Sequence, residues 1–205
     1  MTTASPRRLA PLPADQWDER ARSMLRGHVR LADRYLSGRP DAPPMPNVLG
    51  ILGHHTELAA AWLAYNGVLL EQPALDPRCR EMLILRIARR TDSAYEWAQH
   101  VRIGAEYGIG AAHVDAVAHG PAHPLWSAVD RLLLTAADEL LDRHRVTDAT
   151  WSGLAAHFDA RQLLEILFVA GSYLCLALVF NSVDLPLDPG MDRAAPTPPQ
   201  KEEQP

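Results

Sequence analysis

The sequence predicts an all-α protein. Apolar residues recur at helical spacing through most of the chain, and the periodic stretches open on capping residues and close on glycine or proline. No stretch alternates apolar and polar residues between hairpin turns. The 205 residues are enough to bury a substantial core without disulfides or a structural metal.

The elements follow in order. Residues 1–12 read as a tail, 13–185 as a single helical domain, and 186–205, with five prolines before KEEQP, as a second tail that buries too little to offset the entropy of ordering. Residues 15–36 read as one long amphipathic helix rich in arginine. The Pro-rich SGRPDAPPMPN after it is a linker long enough to let that helix pack elsewhere, including on a neighbouring subunit. His54 and His55 precede a helix over 56–70. Adjacent residues point in different directions, so the two histidines suit a cap or the surface better than a metal. Asp76-Pro77 opens the next helix with an N-cap carboxylate and proline at the first position, and it runs to Arg90. Residues 93–107 form another helix, stopped by Gly108 and Gly110, and 111–118 a short one ended by Gly120-Pro121. Helices over 125–144 and 148–157 follow. Asp159-Ala-Arg-Gln162 is a capping box that starts the last helix, whose run 166–180 is apolar apart from Gly171, Ser172 and Tyr173. At about 15 residues the run is short of the roughly 20 that a membrane span needs, and it reads as a buried helix.

Composition excludes several functions. Twenty Lys+Arg against 25 Asp+Glu give a net charge of −5, which argues against a general nucleic-acid binder. Lys201 is the only lysine. Cys79 and Cys175 are isolated, which removes a zinc ribbon, a thioredoxin-like motif and c-type haem attachment. The N-terminal MTTASPRRLAPLPADQ holds no apolar stretch to serve as a signal peptide, so the expected location is the reducing cytoplasm.

Chemistry gathers in residues 77–107. Glu81 falls in the middle of the apolar arc formed by Ile84, Leu85 and Ala88. A carboxylate there is either a core residue paired with a neighbouring arginine or lines a cavity, where desolvation raises its pKa toward values useful for proton transfer. Glu96 and His100, four residues apart, share one face with Ile103 and Tyr107. A carboxylate beside an imidazole is an arrangement that general acid/base chemistry uses near neutral pH. A structural reading competes with it: Ser93-Ala-Tyr-Glu96 is itself a capping box, and His100 a plain helix-face histidine. Trp62, with Tyr65 and Asn66, either walls a substrate cavity or belongs to ordinary core, and Trp97 reads as packing.

The stretch REMLILRIARRTDSAYEWAQHVR, residues 80–102, resembles the carboxymuconolactone decarboxylase family, which includes the alkylhydroperoxidase-D-like proteins. The peroxidase branch spaces Glu, eleven residues, Cys, two residues, Cys, three residues, His; here the same spacing reads Glu81, Ser93, Glu96, His100. Both redox cysteines are absent, so thiol peroxidase chemistry is not expected. Glu96 and His100-Val101-Arg102 match the decarboxylase branch, while Glu81 stands where that branch usually has a small residue. The resemblance covers roughly residues 40–185. It implies an alkylhydroperoxidase-D-like helical bundle, assembled as a trimer or hexamer, in which the motif helix and the helix before it face each other across a small pocket.

The function this implies is a cofactor-independent, metal-free decarboxylase acting on a small unsaturated carboxylic acid or lactone, with no membrane or nucleic-acid partner. His100 is the expected acid/base, Glu96 the group that orients and charges it, and Glu81 a second proton carrier or, kept neutral, a hydrogen-bond donor. Ser93, Tyr107, Trp62 and Arg102 are candidate substrate contacts, Arg102 either anchoring a carboxylate across a subunit interface or only forming a salt bridge there. An isomerase, dehydratase or cyclase using the same groups is the alternative, and a non-catalytic helical oligomer that binds a small molecule or a protein is a third.

Overall fold

A computed structural model describes residues 8–191, and no strand occurs among them. A 3-10 turn at Ala14–Gln16 precedes ten α-helices among the described residues: α1 Glu19–His28, α2 Ala32–Tyr35, α3 Asn47–Leu52, α4 Thr56–Glu71, α5 Pro77–Arg90, α6 Ala94–Glu106, α7 Ala111–His119, α8 Ala128–Arg143, α9 Asp148–Ala155 and α10 Ala160–Val183. The described residues divide into two compact units, 8–72 with Val179–Pro189, and Pro73–Leu178 with 190–191.

In the first unit α1 packs on α2 and α4, around Trp17, Ala21, Leu25, Ala32 and Leu49. The single helix expected over 15–36 is in three pieces. Asp18 adopts an extended conformation and its carboxylate accepts the Ala21 N–H at 2.7 Å, so a new helix begins at Glu19. Val29, also extended, ends it after His28. Helix α3, which local pattern did not signal, lies at the end of the Pro-rich linker. There Gly53 permits close packing: a Cβ on it would stand 2.7 Å from the Trp17 ring. Parts of both expected tails are fastened here. The Leu12 N–H donates to the Gly50 carbonyl at 3.1 Å, and Asn47 donates through its side chain to the carbonyls of Pro186 and Leu187 and through its backbone to Asp188 at 2.7 Å. The rest of those tails, 1–7 and 192–205, lies outside the described residues.

The second unit is built round α5, which packs against α6, α7 and α8 and is buried without interruption from Arg80 to Ala88. Its arginines tolerate this because carboxylates meet them. Arg78 donates to Asp130 at 2.6 Å, Arg86 to Asp138 at 2.7 and 2.8 Å, and Arg90 to Asp138 and Asp142, each at 2.6 Å. Asp130, Asp138 and Asp142 all lie on α8, eight and four residues apart, and so share a face of it. The start of α5 is fixed twice. Asp76 caps it, and the Glu165 carboxylate of α10 accepts the N–H groups of Ala74 and Leu75 at 2.9 and 2.8 Å.

The expected capping box at the head of α10 forms, with Asp159 and Gln162 each accepting the other's backbone N–H at 2.9 and 3.0 Å. The helix is longer than its apolar run. At 24 residues it is long and apolar enough to cross a membrane by length and composition, and half of its most apolar window is buried inside the protein. Ile166, Val169, Ala170, Tyr173 and Ala177 are on the buried side.

Candidate active site

The site forms where α5 turns into α6. Thr91 donates its hydroxyl to the Ile87 carbonyl at 2.8 Å, Asp92 takes the left-handed conformation at φ 52°, and the Ser93 N–H returns to the Ala88 carbonyl at 2.9 Å. This turn lays α6 against α5 and brings Glu81 to His100. His100 Nδ1 stands 2.6 Å from Glu81 Oε2, and the two residues are 7% and 1% exposed. The short contact fits Nδ1–H donating to the carboxylate, which leaves Nε2 for a substrate proton. The second Glu81 oxygen, Oε1, accepts from Arg80 Nε at 3.1 Å, and the Arg80 guanidinium also lies over the Tyr107 ring, 5.8 Å from its centroid. On its other side the imidazole meets the Tyr173 ring edge-on, with centroids 5.0 Å apart at 89°.

Glu96, one turn before His100 on α6, is 2% exposed, and neither carboxylate oxygen has a hydrogen-bond partner within the protein. Burial pushes it up to about 8. At neutral pH this side chain is therefore mostly a carboxylic acid. The Tyr173 phenol is pushed up as well, first by burial and then by the charges of Glu81 and Glu96, and stays neutral. One face of α6 thus carries, a turn apart, an imidazole held by the Glu81 carboxyl group and a neutral acid.

The structure rearranges the expected pairing. Glu81, from the facing helix, holds the imidazole, and Glu96, the expected orienting group, stands free of it. The capping box does not form either. Ser93 occupies the N-cap position of α6, yet its hydroxyl is buried without a partner and caps nothing. Ser93 instead borders a cavity of about 40 Å³ with Ala88, Arg89, Asp92, Ala94 and Trp97. Tyr107 reaches the cluster only through Arg80. Arg102 is exposed and donates to Gln99 at 2.8 Å, away from the buried groups. Trp62 belongs to the first unit, on α4, where its indole N–H is buried without a partner. His55 caps α4 by accepting the Leu58 N–H, and Trp97 lies in the core. Among the described residues no three His, Cys, Asp or Glu side chains are grouped to hold a metal ion.

Two members of the cluster were not among the candidates. Arg80 adjoins Glu81 in the sequence, and the expectation that Glu81 pairs with a neighbouring arginine was a usable signal for it. Tyr173 was visible only as a polar interruption in an apolar run.

Residues 56–139 match the model of the carboxymuconolactone decarboxylase family. No curated protein matches the chain. Among solved structures, an uncharacterized peroxidase-related protein from Ralstonia eutropha JMP134, described as an alkylhydroperoxidase AhpD core, is 19% identical with a TM-score of 0.75, over 92% of this chain and 96% of that one. Another peroxidase-related protein, from Silicibacter sp. TM1040, is 18% identical with a TM-score of 0.70, over 92% and 95%. A cysteine-to-alanine variant of the debrominase Bmp8, in complex with 2,3,4-tribromopyrrole, is 13% identical with a TM-score of 0.71, over 94% and 97%. At these identities the likeness is one of fold.

Proposed function

We propose that the chain, whose residues 56–139 match the model of the carboxymuconolactone decarboxylase family, is a cofactor-independent acid/base enzyme that decarboxylates a small unsaturated carboxylic acid or lactone. The observation that carries this reading is the buried pair of Glu81 and His100, 2.6 Å apart, next to a Glu96 kept neutral at pH 7. Loss of CO2 from a carboxylate conjugated to a lactone carbonyl leaves its electron pair on the substrate as a dienolate. Glu96 donates the proton that quenches the dienolate carbon and becomes a carboxylate. That carboxylate is disfavoured in the buried site, and His100, four residues on, returns a proton from solvent to it. The net reaction consumes one proton and releases CO2. Glu81 keeps the imidazole oriented with Nε2 available.

The opposite resting states of the two carriers also support a second reading, in which His100 removes a proton and Glu96 delivers one at another carbon, a double-bond isomerisation. A screen of γ-carboxymuconolactone and related unsaturated acids in D2O separates the two, because decarboxylation releases CO2 whereas isomerisation incorporates deuterium without losing carbon. In either case His100→Ala is expected to abolish turnover while the protein stays folded, and full activity in that variant would eliminate the assignment. The same reading includes a homo-oligomer, a trimer or hexamer, in the cytoplasm; light scattering of the purified protein tests its size.

A further inference from the structure

Arg80 and Glu81 are neighbours on α5, 4% and 1% exposed, and they share one contact of 3.1 Å. Consecutive helical residues point about 100° apart, so a direct ion pair between them requires the guanidinium to fold back over its own helix. It does so under the Tyr107 ring, which covers it. The reason for such an arrangement lies one contact further on. The Glu81 carboxylate is divided, one oxygen to Arg80 and the other to His100.

We propose that Arg80 is a positioning residue that sets the charge of His100: by cancelling the Glu81 charge, it keeps the buried imidazole neutral at rest and ready to take a proton. The inference rests on the reading of His100 as a proton carrier. The argument is one of charge balance in a place with little water. A buried carboxylate whose only partner is an imidazole draws a proton onto the ring, because a charged pair is better there than a lone anion. With a guanidinium on the other oxygen the carboxylate is already paired, and a third charge on the ring would meet a pair that is neutral overall. The other groups facing the ring add no charge at neutral pH. Glu96 on α6 holds its proton up to about 8, and the Tyr173 phenol on α10 stays protonated. Glu81 and Arg80, both on α5, are the charged groups in the chain of contacts that ends on the ring. Half-exposed Tyr107 completes the device by excluding water from the guanidinium face, which strengthens its field.

The test reads the ring directly and requires no substrate, so it stands or falls separately from the decarboxylase reading. In 15N-labelled protein at pH 7, a neutral imidazole gives two widely separated ring-nitrogen resonances, and an imidazolium gives two close together. His100 is expected to be neutral in the wild type and mostly protonated in Arg80→Gln, a shift of about tenfold or more in the protonation equilibrium. Arg80→Lys, which restores a cation, is expected to return the neutral pattern, a rescue that packing alone does not provide. An unchanged neutral ring in Arg80→Gln overturns the proposal. If Arg80→Gln does not fold, Arg80→Met, which keeps the apolar stem and removes the charge, takes its place: a protonated ring supports the assignment, and a neutral one overturns it.

Discussion

Glu96→Gln should remove a pH dependence from the stability of the protein. In the wild type the Glu96 proton is held to about 8 in the folded state, against an ordinary 4.5 in the unfolded chain. The native carboxyl group is uncharged where the unfolded one has already ionised. Its contribution is therefore fully present below about pH 4.5, falls as the pH rises through the interval, and is gone above about 8. One proton changes stability by about 1.4 kcal/mol per pH unit, so the wild type is expected to lose about 3 kcal/mol through this group between about pH 5 and about pH 8. Glutamine keeps the shape and never ionises. The advantage of Glu96→Gln over the wild type should grow by that amount across the range, whatever constant offset the amide introduces. Urea denaturation of both proteins at four pH values measures it, and the carbonyl stretch of a protonated carboxyl group, present in the wild type at pH 7 and missing in the variant, gives a second readout. A gap that stays constant within about 0.5 kcal/mol would refute the reasoning, since Glu96 would then titrate as an ordinary carboxylate.

Three further outcomes are expected. Ser93→Ala, which at a working N-cap costs about 1 kcal/mol, should cost less than half of that in thermal denaturation, because the hydroxyl is buried without a partner; a full loss would mean that it caps α6 after all. Asp138→Ala leaves Arg86 buried with only the Val117 carbonyl and strips Arg90 of one partner, and should cost about 3 kcal/mol in urea unfolding, with a loss under about 1 kcal/mol contradicting the role given to that carboxylate. A disulfide reagent at pH 8 should find one fast thiol per chain, the exposed Cys175. Burial pushes Cys79 up to about 11, and two fast thiols would show that the first turn of α5 is open.

The helices of the second unit were largely legible because their ends are written in local chemistry. Asp76-Pro77 and the reciprocal pair Asp159 and Gln162 act on their own neighbours, and the structure has both in place. The first unit was harder. The break after His28 depends on Val29 adopting an extended conformation, which no proline or glycine at that position announces. At the site, the position of Glu81 on an apolar arc was informative: it pairs with Arg80, the first of the two readings left open for it, and its other oxygen faces His100, a partner that neither reading named. Sequence spacing pointed to the wrong partner for the imidazole. Glu96 and His100 share a helical face, but a shared face does not give a hydrogen bond, and the closer carboxylate comes from another helix at a separation of 19 residues. The spacing Ser-x-x-Glu was equally misleading. It matches a working capping box, and whether the box closes depends on how the first turn of α6 is buried, which is a tertiary property.

The contrast between α5 and α6 bears on how such a site changes over time. Glu81 sits in a run of nine consecutive buried residues on a helix that Arg78, Arg86 and Arg90 tie to α8, so altering it disturbs the scaffold of the whole unit. Ser93 and Glu96 hold nothing: their side-chain oxygens make no bond that the fold depends on. At these two positions the polar group can be exchanged for another of similar size without breaking a hydrogen bond on which the surrounding helices depend.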